Sequence, residues 1–319
     1  MKKILSKPLN IGVILFDKYK ILKLLGRGSY SFVYLVESKC KEKKRYVVKE
    51  FCPHDIVKRE KNHEILLQDS LTKWKIDEYF NLKKIFHYES KHLKQLNSKV
   101  NTGLMEFISY YEDINNTSYI VTNYTKTIPL EIYLSRMASP KVLIKLLNSL
   151  LLVLENIHQH DIYHQDIKME NILIKADNTP LIIDFGGSVI LYDKVSGKYL
   201  NTASPDSAAL EQLSLTYPPE ITNSTDIYSV AALIYKILTG HYPINAKIRE
   251  SAINKGEKDP YIPLTSKGLS CFHKFTLHKI DKALNLYQEE RYNSAIEFIV
   301  ALKKQTLWQK LHAYLINKQ

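Results

Sequence analysis

The sequence predicts an α+β fold in two parts, strand-rich over residues 1–127 and mainly helical over 128–319. Short runs of β-branched and aromatic residues, separated by glycine or charged turns, crowd the first part. Apolar residues at spacings of three and four dominate the second. The 319 residues are 45% hydrophobic and carry no internal repeat or long linker, enough for one large or two modest cores. With only 10 glycines and 11 prolines, collagen-like, low-complexity and wholly disordered classes are excluded.

Residues 1–16 read as an N-terminal flank. Lys2, Lys3 and Lys7 precede an apolar run from Leu9 to Phe16, as in a secretory leader, but Asp17-Lys18-Tyr19 stands where small residues would be needed for cleavage. Residues 17–127 then hold strands over 19–25, 31–37 and 45–51, a helix over 76–96 and two more strands near 104–111 and 118–124. The helix shows Leu82, Phe86, Glu89, Leu93 and Leu96 along one face. Beyond residue 128, Ser139-Pro140 starts a long apolar helix reaching about His158: the hydroxyl caps free N–H groups and the proline sits where a missing donor costs nothing. Ser224 or Thr225 caps a deeply buried helix over 226–239, closed by Gly240, and a C-terminal helix completes the second part.

Lys and Arg number 45 against 33 Asp and Glu, a formal charge of +12, and residues 1–127 hold 24 against 14, a net +10. A basic first part suits an acidic protein partner, an anionic lipid surface or nucleic acid, against the commoner reading of a solvated lysine-biased surface. No nucleic-acid partner is expected. Three cysteines, Cys40, Cys52 and Cys271, are too few for a disulfide framework, so a reducing, cytoplasmic setting is expected. The longest apolar runs, such as Leu146 to Leu154, reach about half of the roughly 20 residues that a membrane span needs. His158 and His160 lack a thiol or carboxylate cluster at ligand spacing and read as surface or core histidines.

The chemistry-bearing motifs come in order. Gly26-Arg27-Gly28-Ser29-Tyr30-Ser31-Phe32-Val33 is a glycine-rich turn whose backbone N–H groups can approach a polyphosphate; by itself it equally marks a tight hairpin. Lys49 lies in a strand with Val47 and Phe51 on its face, and the apolar stripe of the following helix contains Glu89, an anion that needs a counter-charge there. His164-Gln165-Asp166-Ile167-Lys168-Met169-Glu170-Asn171 precedes Ile183-Asp184-Phe185-Gly186. An aspartate to accept a hydroxyl proton, an asparagine and a second aspartate to hold Mg²⁺, and a lysine beside the moving phosphoryl form the set that phosphoryl transfer requires.

From Gly26 to about Ile299 the chain resembles a eukaryotic-type (Hanks-type) serine/threonine protein kinase, in particular bacterial members, through these motifs together with Ala209-Leu210-Glu211, Asp226 and Arg291. The resemblance implies a bilobal protein-kinase-like fold, with an antiparallel-sheet lobe carrying one key helix over 17–127 and a larger helical lobe over 128–319. ATP and Mg²⁺, or Mn²⁺, would sit in the cleft. Asp166 would be the catalytic base, Asn171 and Asp184 the metal ligands, Lys49 the bridge to the α- and β-phosphates, and Glu89 its partner. Gly26, Gly28, Ser31, Val33 and Val47 would line the nucleotide, with Thr122 as gatekeeper and adenine bonding the Asn123 carbonyl and the Thr125 N–H. Lys168 resembles the serine/threonine class, and Ser204, seven residues before Glu211, takes the position of a hydroxyl that touches the base and Lys168. Glu211 and Arg291 would form a buried ion pair.

Departures from the pattern carry information. Ser31 replaces the third glycine and Val47 an alanine. Gln165 replaces the arginine that reads a phosphate on the activation segment, so activity independent of phosphorylation there is expected. Glu64 follows Lys49 by 15 residues, nearer the usual spacing, and Glu89 by 40, but Glu89 precedes Thr122 by 33 against 58 for Glu64. Glu89 is the choice, with an insertion between Phe51 and Ile76, a segment whose Lys49-Glu-Phe-Cys-Pro53 opening also resembles bacterial members. The function expected is ATP- and Mg²⁺-dependent transfer to protein Ser or Thr hydroxyls, autophosphorylation included. The rivals are a pseudokinase scaffold and an aminoglycoside-type small-molecule phosphotransferase. The resemblance leaves open whether the protein acts in a bacterial cytosol or, as a secreted effector, in a host cytosol.

Overall fold

The computed structural model describes residues 6–99, 103–137, 139–188, 191–193, 198–200, 203–213, 219–270 and 272–303. The chain forms two compact units, one of residues 1–101, 105–126 and 193–196, the other of 102–104, 127–192 and 197–319.

The first unit is built on an antiparallel sheet of Ile14–Leu15 (β1), Tyr19–Arg27 (β2), Ser31–Ser38 (β3), Arg45–Phe51 (β4), Phe107–Ile114 (β7) and Thr117–Asn123 (β8), in the order β1-β2-β3-β4-β8-β7. The strand expected from 104 starts at Phe107. The Gly103 carbonyl accepts from Ile182 N–H (2.9 Å) and Leu104 bridges Ile182, which captures this stretch for the second unit. Helix α1, Lys73–Asn97, begins before the expected residue 76 because the Thr72 hydroxyl accepts from Lys75 N–H. Its buried stripe of Tyr79, Ile85, Phe86, Glu89, Leu93 and Leu96 packs on one face of the sheet, with the Phe51 ring 5.5 Å from Phe86 and 5.6 Å from Tyr79.

Side chains alternate across a strand, so β4 turns Val48 and Glu50 away from α1, and both are fully buried. What covers them is the stretch where an insertion is expected, folded as a hairpin of Val57–Arg59 (β5) and Ile65–Leu67 (β6), together with the N-terminal segment. Ser6 Oγ donates to the Val57 carbonyl (2.7 Å), and Leu9 N–H donates to the Tyr34 hydroxyl (3.0 Å). The Glu50 carboxylate is paired with Arg59 through two bonds (2.7 and 3.1 Å) and accepts from the hydroxyls of Tyr34 (2.8 Å) and Tyr119 (3.1 Å). An anion so deep is tolerable only with this complete set of donors.

The second unit centres on α3, Pro140–His158, and α4, Asn223–Thr239. Ser139 caps α3 by accepting from Val142 N–H (3.3 Å), with Pro140 in the first turn as the sequence predicts. Leu147, Leu150, Leu151 and Leu154 are buried along α3, each contributing roughly 1.5–3 kcal/mol. In α4 every residue from 224 to 235 is buried. Its cap is Thr222, not Ser224 or Thr225: Thr225 sits at the third helical position, where its hydroxyl closes a reciprocal capping box with Thr222. Gly240 ends the helix at φ +86°. A small sheet of Thr127–Pro129 (β9), Ile172–Lys175 (β10) and Pro180–Ile182 (β11) lies beside a helix that the sequence reading lacks, α2, Leu130–Met137. Ala246–Asn254 (α5), Lys274–Ala283 (α6) and helical turns over 295–303 complete the described part; the remainder of the expected C-terminal helix and Cys271 lie outside the described residues. Among the described residues no helix is long and apolar enough to cross a membrane.

Candidate active site

In the first unit, register places Gly26, Val33, Val47, Lys49 and Thr122 of the candidate nucleotide residues on one face. Gly26 pairs with Val33 and Val33 with Lys49, while Val47, two residues from Lys49, pairs with Thr122. Lys49 Nζ reaches both oxygens of Glu89, at 2.7 and 2.9 Å, with the lysine side chain 12% exposed and the glutamate 1%. Glu64 lies instead in the turn between β5 and β6, its carbonyl accepting from Glu60 N–H. The glycine turn closes through Gly28 N–H donating to the Ser31 carbonyl (2.9 Å), and the Tyr30 ring stands 5.8 Å from the Lys49 ammonium. A Cβ on Gly26 would meet nothing within 4 Å, so the backbone there is open to approach. Thr122 is buried with its hydroxyl 4.0 Å from Met105 Sδ, Asn123 donates from its amide to Glu106, and Thr125 is exposed.

In the second unit, the 164–171 loop between α3 and β10 is pinned from below by Asp226. Its fully buried carboxylate accepts from His164 N–H (2.8 Å) and Gln165 N–H (2.7 Å) and meets His158 Nε2 at 2.8 Å. Burial by itself would raise this carboxyl; the His158 bond, the nearby imidazoles and the Gln165 N–H outweigh it and hold it below the usual range. His158 is thus a core residue, one of the two readings open to it from sequence.

Above this support the polar side chains converge. Asp166 Oδ2 accepts from Asn171 Nδ2 (2.9 Å) and lies 2.7 Å from Lys168 Nζ. Lys168 Nζ also donates to Ser204 Oγ (2.8 Å), and Ser204 N–H donates to Asp166 Oδ1 (3.2 Å). Because Asn171 spends its amide nitrogen on Asp166, its oxygen is turned to other uses. Ile183 N–H donates to the Asn171 carbonyl (2.9 Å), which brings Asp184, at φ +66° with Oδ1 accepting from Gly186 N–H, alongside Asn171. An amide oxygen and a carboxylate are hard donors that suit Mg²⁺ or Mn²⁺. Further on, Arg291 holds Glu211 through two bonds (2.8 and 3.2 Å).

Four residues that matter here escape the sequence reading in whole or part. A Cβ on Gly187 would lie 2.7 Å from Asp166 Cβ and 3.0 Å from the His164 carbonyl, so only glycine lets the two loops touch; the doubled glycine of Phe185-Gly186-Gly187 was the available signal. His54 Nε2 meets the Gly28 carbonyl at 2.8 Å and packs 4.3 Å from Phe32, fixing the glycine turn. Gln212 bridges the Gln165 carbonyl and Ala209 N–H. Asp226 is matched by motif, without its two bonds to the loop backbone and its third to His158 of α3.

A family model described as the protein kinase domain matches residues 19–302. Among curated proteins, the chain is similar to serine/threonine-protein kinase D of Synechocystis sp., 24% identical over 310 residues, covering 95% of this chain and 53% of that protein. It is 25% identical over 294 residues to serine/threonine-protein kinase C of the same organism, covering 88% and 49%. Serine/threonine-protein kinase PknA of Nostoc sp. is 25% identical over 308 residues, covering 91% and 48%. The chain spans about half the length of these relatives.

Proposed function

The chain belongs to the protein kinase domain family, and from that premise we propose that it transfers the γ-phosphoryl of ATP to serine or threonine hydroxyls of proteins, its own included. The observation that carries this reading is the carboxylate of Asp166, bonded to Lys168 and Asn171 and reached by Ser204, a base whose orientation is fixed from three sides. Asp166 accepts the proton of the acceptor hydroxyl as the phosphoryl moves, and Lys168 neutralises charge beside it. Lys49 holds phosphate oxygens, its ammonium steadied by Glu89. Gly26, Gly28, Ser31, Val33 and Val47 line the nucleotide, and Thr122, Asn123 and Thr125 meet its base. Asn171 and Asp184 are the residues that would hold the divalent metal, for which we propose Mg²⁺, with Mn²⁺ able to replace it. When bound, that metal supplies neutralisation of phosphate charge. A cytoplasmic setting is proposed on the cysteine usage. Protein substrates follow from the kinase reading, and the net charge of +10 over residues 1–127 favours acidic ones.

Incubation of the purified chain with ATP and Mg²⁺, followed by phosphosite mapping by mass spectrometry, is the direct test; transfer to casein or to itself, and to no aminoglycoside, is expected. Asp166→Ala should bind nucleotide within about twofold of the wild type and lose transfer by about a hundredfold or more. Undiminished turnover in that variant would remove Asp166 from the mechanism.

A further inference from the structure

We propose that Gln212 is a positioning residue: a neutral amide clamp that holds the 203–213 segment on the catalytic loop and thereby seats Asp166 without any phosphate on that segment. The proposal rests on the kinase reading above and deepens it.

Gln165, next to Asp166, is 4% exposed, adopts φ +63°, and its side-chain Oε1 has no hydrogen-bond partner among the described residues. An uncharged, enclosed amide is no counter-ion for a phosphate dianion. Lys168 is engaged with Asp166 and Ser204. The segment is tied down by other means. Ser204 is bonded to Asp166 and Lys168, Ser229 Oγ donates to the Ser207 carbonyl (3.1 Å), and Glu211 is gripped by Arg291. Of these ties, Ser204 alone reaches the catalytic loop, and it does so through the side chains of the reacting machinery.

Gln212 makes the backbone connection. It is 1% exposed; its Nε2 donates to the Gln165 carbonyl at 2.7 Å and its Oε1 accepts from Ala209 N–H at 3.0 Å. One planar amide therefore serves a buried acceptor on the loop and a buried donor on the segment. Among the described residues neither has another hydrogen-bond partner, so losing the amide leaves both unsatisfied away from water. The Gln165 peptide is held from its other side by Asp226, which accepts from Gln165 N–H at 2.7 Å. With Asp226 and Gln212 gripping the two ends of residue 165, the peptide leading into Asp166 has one orientation.

The experiment compares the full chain, untreated and phosphatase-treated, with Gln212→Met and Gln212→Glu, using initial rates on casein and mass spectrometry to verify the phosphorylation state. Dephosphorylated wild type should start within about twofold of the untreated protein. Gln212→Met, which keeps bulk but neither hydrogen bond, should lower kcat by about tenfold to a hundredfold while KM for ATP stays within about twofold. Gln212→Glu has nearly the same shape, but its ionised carboxylate cannot donate to the Gln165 carbonyl, whereas the protonated form can. Its rate relative to wild type at the same pH should therefore climb by about tenfold from pH 8 to about 5.5. A residue that merely fills space would give a flat ratio. A wild-type kcat in both variants, a flat ratio, or dephosphorylated wild type inert on casein overturns the proposal. If Gln212→Met fails to fold by circular dichroism, the pH ratio of the Glu variant decides alone. Untreated wild type that transfers nothing overturns the kinase reading itself, an outcome distinct from an active wild type indifferent to residue 212.

Discussion

At Gly187 a single methyl group would force its loop away from Asp166, the proposed base. Its Cβ would fall 2.7 Å from that of Asp166, a position that cannot swing aside as a side-chain tip could, and 3.0 Å from a backbone carbonyl. Gly187→Ala is expected to lower stability by about 1–3 kcal/mol and kcat by about tenfold to a hundredfold, read by urea unfolding and steady-state kinetics; wild-type values would show that the loops separate freely. Residue-scale legibility follows the chemistry. Lys49, Asp166, Asn171 and Asp184 stand out because their functional groups are those the proposed phosphoryl transfer uses and their spacing resembles the protein kinase pattern. Gly187, His54 and Gln212 do not, since their roles depend on what another part of the chain lays against them. Glu89 and Glu64 stayed ambiguous while only spacing was counted, and the ion pair at 2.7 Å separates them.

Among elements, β4 is the most instructive because its adjacent charges each find a partner on opposite faces. Lys49 pairs with Glu89 of α1, and Glu50 with Arg59 of β5. Glu50 is fully buried and the Arg59 side chain only 7% exposed, so removing one partner leaves an uncompensated charge in the core. Arg59→Met should cost about 3–5 kcal/mol, and adding Glu50→Gln should recover part of that loss. Urea midpoints of the two single variants and the double variant measure this; strictly additive losses would contradict it. The main strands, α1 and α3 were legible from their periodicity and, for α3, from its cap. The β5–β6 hairpin was not, because three-residue strands carry too little alternation to register. The signal for its existence was nonetheless present: a strand reading Lys-Glu within Val47-Val48-Lys49-Glu50-Phe51 cannot bury both charges on one face, so a second layer had to cover the other. The α4 cap was misplaced by two or three residues because Thr222, Ser224 and Thr225 are all good caps, and the reciprocal hydrogen bonds choose between them.

For the whole molecule, charge is unevenly placed, with +10 of the net +12 within residues 1–127. Long-range attraction of this kind raises encounter rates and is screened by salt. Transfer to an acidic protein substrate should fall by about tenfold or more in kcat/KM between roughly 0.05 and 0.5 M NaCl, while a near-neutral substrate changes little; equal salt dependence would place the basic surface outside substrate capture. The switch in periodicity near residue 127 falls beside the division between the two units, whereas the crossing of 103–104 into the second unit was hidden, since it rests on the pairing of Gly103 and Leu104 with Ile182. The hidden layer behind the sheet has a mechanical consequence. Residues 49 and 50 are neighbours along a single extended strand, so any tug on the outer wrapping, through the N-terminal segment or the hairpin, is transmitted across one peptide bond to the ammonium on the inner side. The rear covering is in effect a handle on Lys49 and, under the proposed function, on the phosphate oxygens that this lysine would hold.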